Sequence, residues 1–140
     1  MMNPRRSKIF LLVLLTMKKN VVREKSYDFA LRVVEAYKIL VKDKKEFVLS
    51  KQVLRSGTAI GANIEEADAS ISKAEFSAKI SIAYKEARET CYWLRLLFQS
   101  TYLDKKSFDP LFNACEELCK ILRAILRSSG RIRTSNDHVE

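Results

Sequence analysis

Glycine occurs three times in this chain of 140 residues, proline twice and histidine once. So little glycine excludes a phosphate-cradling loop, which needs several glycines close together. The single histidine, His138, stands in a polar C-terminal tail where nothing fixes its orientation, so it offers neither a general base nor a zinc ligand set. Ser56 and Thr58 therefore have no partner base, and nucleophilic catalysis has no sequence support. Proline is absent between Asn20 and Asp109, leaving nothing to break a helix there. The longest apolar run, residues 9–17, is far shorter than the roughly 20 residues that span a bilayer. It follows a basic stretch as in a signal peptide, but Lys18 and Lys19 stand where a small-residue cleavage site belongs.

What remains is 47% apolar, enough for one domain with a real core. The three cysteines, Cys91, Cys115 and Cys119, fall on apolar helical positions, which favours reduced thiols in a cytoplasmic core over a disulfide framework. Cys115 and Cys119 lie one helical turn apart, but no second pair completes a metal site, so core packing is expected and no cofactor. The formal charge of +9 is concentrated at the ends. Arg5, Arg6, Lys8, Lys18 and Lys19 lead the chain without an acid among them, and residues 120–133 carry Lys120, Arg123, Arg127, Arg131 and Arg133 in the same way. The body between them is nearly neutral. If the two ends lie together, the surface is polarised and attracts polyanions such as RNA or DNA; the alternative is a merely soluble basic surface.

Apolar spacing predicts four helices and no strand. The first covers residues 21–41, with Asp28, Arg32, Glu35 and Lys42 as a narrow polar stripe. Its apolar arc is wider than one core requires, which predicts burial against a second subunit. The second covers residues 47–67 after the charged turn at 43–46. Ser72 and Glu75 form a capping-box pattern that opens a third helix reaching Ser100. Asp109 and Pro110 predict the start of a fourth, and Gly130 its stop. The fold class is all-α, an up-down-up-down antiparallel four-helix bundle. It occupies residues 20–130, between an N-terminal extension (1–19) and a flexible polar tail (131–140).

Two of the glycines, Gly57 and Gly61, sit four residues apart inside the second helix. Each costs about 1 kcal/mol against alanine there, so close approach of another backbone is the expected compensation. Asn63, Glu65 and Glu66 near the end of that helix, and Lys85, Glu86, Arg88 and Glu89 in the third, read as ion pairs and helix-end contacts that fix register rather than as acid-base chemistry. Tyr27, Tyr37, Tyr84, Tyr92, Trp93 and Tyr102 keep helical spacing among aliphatic neighbours and read as core or interface, not as a base-stacking platform.

The segments 49–66, with Asn63-Ile64-Glu65-Glu66, 73–76 and 83–94, with Glu86-x-x-Glu89-x-x-x-Trp93-Leu94, resemble the four-helix bundle proteins encoded in bacterial 23S ribosomal RNA intervening sequences. The likeness covers about residues 20–130. It implies a cytoplasmic subunit of a homopentamer, similar to the accessory variability protein of diversity-generating retroelements, which works with a reverse transcriptase and nucleic acid. Family members start near Met17, which implies that residues 1–16 derive from an upstream start codon. The expectation is thus a non-enzymatic pentamer that meets RNA or DNA through its basic ends, with no membrane partner. The rival is a structural or protein-interaction scaffold, such as a reverse-transcriptase accessory protein.

Overall fold

A computed structural model of the chain describes residues 4–129, apart from the side chain of Lys18. Gly130, Arg131, Arg133, His138 and the rest of the tail lie outside the described residues. Four helices make up the fold: α1 (Pro4–Lys42), α2 (Leu49–Asp68), α3 (Lys73–Gln99) and α4 (Lys105–Ser128). Each packs against the next, and α4 closes the ring against α1, so the expected antiparallel four-helix bundle is the one observed. Its axis is filled by Phe29, Val33 and Leu40 from α1, Val53 and Ile60 from α2, Ile80, Leu94 and Leu97 from α3, and Leu118, Leu122 and Ile125 from α4. Each such side chain contributes about 1.5–3 kcal/mol through removal from water.

Two helix starts differ from expectation. Helix α1 does not begin near Val21 but runs without a break from Pro4, because Lys18, Lys19 and Asn20 are tolerated in a helix and do not stop one. Its 39 residues make it about 58 Å long, so it overshoots the bundle. From Leu15 onward it packs against the core, whereas Ile9 to Leu14 are exposed. Helix α4 begins one turn before Asp109: Asp104 is its cap and accepts from the Ser107 amide at 2.8 Å. Pro110 lies inside the helix near its exposed start, where loss of one amide donor leaves only a solvated carbonyl behind.

Ser72 caps α3 as expected, accepting from the Glu75 amide at 3.1 Å. The start of α2 is held differently. Buried Glu46 accepts from the amides of Val48 (3.0 Å), Leu49 (2.8 Å) and Ser50 (2.6 Å), while the Ser50 hydroxyl donates to the Glu46 carbonyl at 2.8 Å. Burial alone would raise the Glu46 pKa, but the three amide donors outweigh it and hold the carboxyl below its ordinary value. Because the folded value is the lower one, this stabilisation is complete above the unfolded-state pKa and disappears as pH falls through the folded one. At neutral pH Glu46→Gln should cost about 1–3 kcal/mol. Thermal melts across pH should show the two proteins converging in acid, and a constant gap would refute the carboxylate's role.

The turns that join the helices use no glycine. Lys45 and Thr101 adopt left-handed backbone at φ 54° and 70°, which for β-branched Thr101 is a strained choice. Two amides repay it after α3, where Tyr102 and Leu103 both donate to the Leu97 carbonyl, at 2.9 and 3.2 Å.

The glycines lie where α1 crosses α2, each with a different neighbour. A Cβ on Gly61 would stand 3.5 Å from the carbonyl oxygen of Ser26, so backbone does face it. A Cβ on Gly57 would stand 3.0 Å from both methyls of Val33, so there the close neighbour is a side chain. On the α3 side of α2, buried Thr90 donates to the Ser56 hydroxyl at 2.9 Å, giving the core a polar contact that pins register.

The cysteines are buried as expected, but closer together than helical spacing could show. Cys91 of α3 lies 3.0 Å from Cys115 and 4.0 Å from Cys119 of α4, sulfur to sulfur, and all three sulfurs fall within 4.8 Å of one another. Cys115 also donates to the Ala87 carbonyl at 3.2 Å. Hydrogen bonding to Cys119 and Cys91, together with burial, keeps the Cys115 thiol protonated.

Candidate nucleic-acid interface

Helix α4 is strongly two-sided. Cys119, Leu122, Ile125 and Leu126 are buried, while Lys120, Arg123 and Arg127 step along the opposite face at three- and four-residue intervals and are exposed. None of the three forms an ion pair among the described residues. Arg127 lies in the last turn, where the helix dipole favours a cation.

The end of α4 lies beside the overshooting part of α1. An open groove of about 880 Å³ is lined by the apolar Leu11, Leu12, Leu14, Ile71 and Phe76, with Lys8 and Lys19 of α1, Lys73 at the start of α3, and Ser128 and Ser129 at the end of α4 among them. Lys19 stands with its ammonium 4.0 Å over the Phe76 ring, which fixes it at the rim. The first turns of α1 and the end of α4 therefore share one end of the bundle, while Lys120, Arg123 and Arg127 lie on α4 outside the groove's lining. Asp68, the acid of this groove, is engaged by Arg23 at 3.3 Å.

Several of the other charges pair between helices. Arg23 of α1 donates to Glu65 of α2 at 2.8 Å, Lys79 of α3 to Glu66 of α2 at 3.1 Å, and Lys25 of α1 pairs with Glu117 of α4. Glu86 and Glu89 are not paired with Lys85 or Arg88 on their own helix. Arg55 of α2 reaches across to both, 3.2 Å from Glu86, because the two acids stand one turn apart on the face of α3 that α2 covers. Burial raises the Glu86 pKa despite Arg55, with Glu89 adding to the effect. Arg88 forms no ion pair among the described residues. Asn63 donates to the Ala59 carbonyl at 2.8 Å, one turn back within α2 rather than at its end. Of the aromatics, Tyr27, Tyr92 and Tyr102 are exposed rather than core residues, and Tyr92 meets Trp93 edge to face at 5.0 Å.

A second surface lies on the outer side of α1. Tyr27, Leu31 and Ile39 are 64%, 51% and 52% exposed. Leu31 and Ile39, with Ala36, border a shallow groove against Leu103 of the preceding turn and Pro110 and Leu111 of α4. This is the surplus apolar arc that spacing predicted.

The family model of the 23S rRNA-intervening sequence protein matches residues 18–124. The chain belongs to that family. Among solved structures, the chain is similar to a protein with unknown function from the S23 ribosomal protein family of Bacteroides thetaiotaomicron VPI-5482, at 50% identity with a TM-score of 0.77. The similarity covers 79% of this chain and 98% of the other. No curated protein matches. The intervening sequence family match takes in Gly57, Gly61, the interhelical ion pairs, the cysteines and Lys120 and Arg123. Arg127 lies just beyond it, as does most of the overshooting part of α1.

Arg55 and Arg23, the cations that organise the acids, were missed at the sequence level. A signal was available for Arg55, because the i, i+3 pair Glu86 and Glu89 needs one cation on a facing helix. No helix of the described residues is long and apolar enough to cross a membrane.

Proposed function

We propose that this intervening sequence family protein is a non-catalytic homo-oligomer, a pentamer, that binds RNA or DNA through a basic face at one end of each subunit. The exposed stripe of Lys120, Arg123 and Arg127 on α4, none of them in an ion pair among the described residues, together with Lys8, Lys19 and Lys73 around the groove at the end of the bundle, carries the reading. Cations left without acidic partners are available to phosphates, whereas Arg23, Lys25, Arg55 and Lys79 are already engaged by acids. Assembly through the apolar face of α1 would repeat the basic end around a ring, so that several weak contacts act on one polyanion.

Binding to a structured RNA, followed by fluorescence anisotropy, should weaken steeply with salt. Each phosphate contact contributes about 0.9 to the slope of log affinity against log salt on a duplex. The slope should therefore exceed what one subunit's charges supply, and Arg123→Gln with Arg127→Gln should flatten it. Lys42→Gln with Lys44→Gln, in the turn at the other end, should change it much less. Equal effects from the two pairs, or no binding at low salt, would reject the reading in favour of a protein-interaction scaffold.

A further inference from the structure

The cysteine cluster has the composition and geometry of a ligand set. Cys91 projects from α3 and Cys115 and Cys119 from successive turns of α4, so one small ion could be gripped by both helices. A three-coordinate centre with bonds near 2.3 Å places its sulfurs roughly 3.5–4 Å apart. Cys91 and Cys119 already stand at 4.0 Å, and Cys91 and Cys115, at 3.0 Å, need to open by less than one ångström.

Two further observations select the ion. The group contains no carboxylate or imidazole, so a tetrahedral ion such as zinc would lack its fourth protein ligand. The site is also enclosed: Cys115 is fully buried and Cys91 and Cys119 nearly so, in the same apolar core as Ala87, Leu94, Leu118 and Leu122. A buried net charge is costly unless it is paired. Three thiolates around a monovalent ion leave two negative charges, and around a divalent ion they leave one. Only a trivalent ion gives a neutral complex. The charged groups that act on the cluster, Arg88 toward Cys119 and Glu116 toward Cys91, are of opposite sign and leave the balance unchanged.

We propose that Cys91, Cys115 and Cys119 form a binding site for a soft, trivalent, three-coordinate ion of the arsenite class, held as a neutral trithiolate that ties α3 to α4. Arsenous acid is itself uncharged and enters an apolar core when the bundle opens locally. Three sulfur-arsenic bonds form and three arsenic-oxygen bonds break. The three thiol protons leave with the three hydroxyl groups as water. No electron is transferred, so no oxidant is required.

The test uses the full reduced chain and sodium arsenite. Native mass spectrometry should show one arsenic gained and three protons lost per chain, the melting temperature should rise, and X-ray absorption should find three sulfur neighbours and no oxygen. Replacing any one cysteine with serine should weaken binding on the order of tenfold or more and bring oxygen into the arsenic shell, with helical content checked by circular dichroism. Should a serine variant unfold, the absorption spectrum of the unaltered protein still decides. Absence of an adduct, a two-sulfur adduct that keeps a hydroxyl, a Cys91-Cys115 disulfide in its place, or tighter binding of zinc would each overturn the assignment.

Discussion

Replacing Gly57 with alanine should destabilise the bundle by about 1–3 kcal/mol, although alanine in an ordinary helix interior would be favoured by about 1 kcal/mol. The new methyl would meet two carbons of Val33 at 3.0 Å, and Val33 is a buried, β-branched residue with one favoured rotamer in a helix. Relief requires α1 and α2 to separate. At Gly61 the same change should have the opposite sign, because its Cβ would find Ser26 at 3.4–3.6 Å, an ordinary contact. Gly61→Ala should therefore gain about 0.5–1 kcal/mol, whereas Gly61→Leu, too large for that gap, should lose stability or assembly. Denaturant unfolding of the variants measures all of this. A double-mutant cycle of Gly57→Ala with Val33→Ala should return a favourable coupling, since removing the Val33 methyls removes the clash. A Gly57→Ala protein that is more stable than the parent would show that the crossing has slack.

If the proposed pentamer forms through α1, Leu31→Lys combined with Ile39→Lys should leave a folded monomer. Both side chains are half exposed in the single chain, so each subunit loses little on its own. Across a subunit contact the same lysines would be buried without partners, and each copy around a ring would carry that penalty. Light scattering at micromolar concentration should give a pentamer for the parent chain and a monomer for the variant, with unchanged helical content. A parent chain that is monomeric would remove the basis for assembly through α1, and an unchanged pentamer in the variant would place the contact elsewhere.

How much of this was legible in the sequence depends on the range of the interaction concerned. The bundle, the capping of α3 by Ser72 and the excess apolar arc of α1 all follow from residues within one or two turns of each other. The start of α4 was misplaced because Asp109 and Pro110 are a louder signal than Asp104, yet helix formation needs only one cap and the earlier one served. The extra turns of α1 were hidden by the polar Lys18, Lys19 and Asn20, which look like punctuation but have adequate helix propensity. Contacts between helices are another matter. Nothing local to Cys91 states that it faces Cys115 and Cys119, since that depends on the rotation of α3 against α4. For the same reason Arg55, rather than the neighbouring Arg88, partners Glu86 and Glu89. Periodicity was enough to place Lys120, Arg123 and Arg127 on one stripe, whereas the groove that Lys8 and Lys19 share with the end of α4 required the closure of α4 against α1.

The overshoot of α1 makes one continuous rod into two thermodynamic bodies. Residues from Leu15 onward open only when the bundle opens, because their side chains are shared with the other helices. Ile9 to Leu14 are exposed and lie outside that core, and a helical stretch of fewer than about 12–15 residues is marginal on its own in water. Its hydrogen bonds are nucleated by the packed part and open before those of the core. Winding and unwinding there cost the core nothing. The apolar tip can thus exchange between helix and coil many times during the life of a single folded bundle.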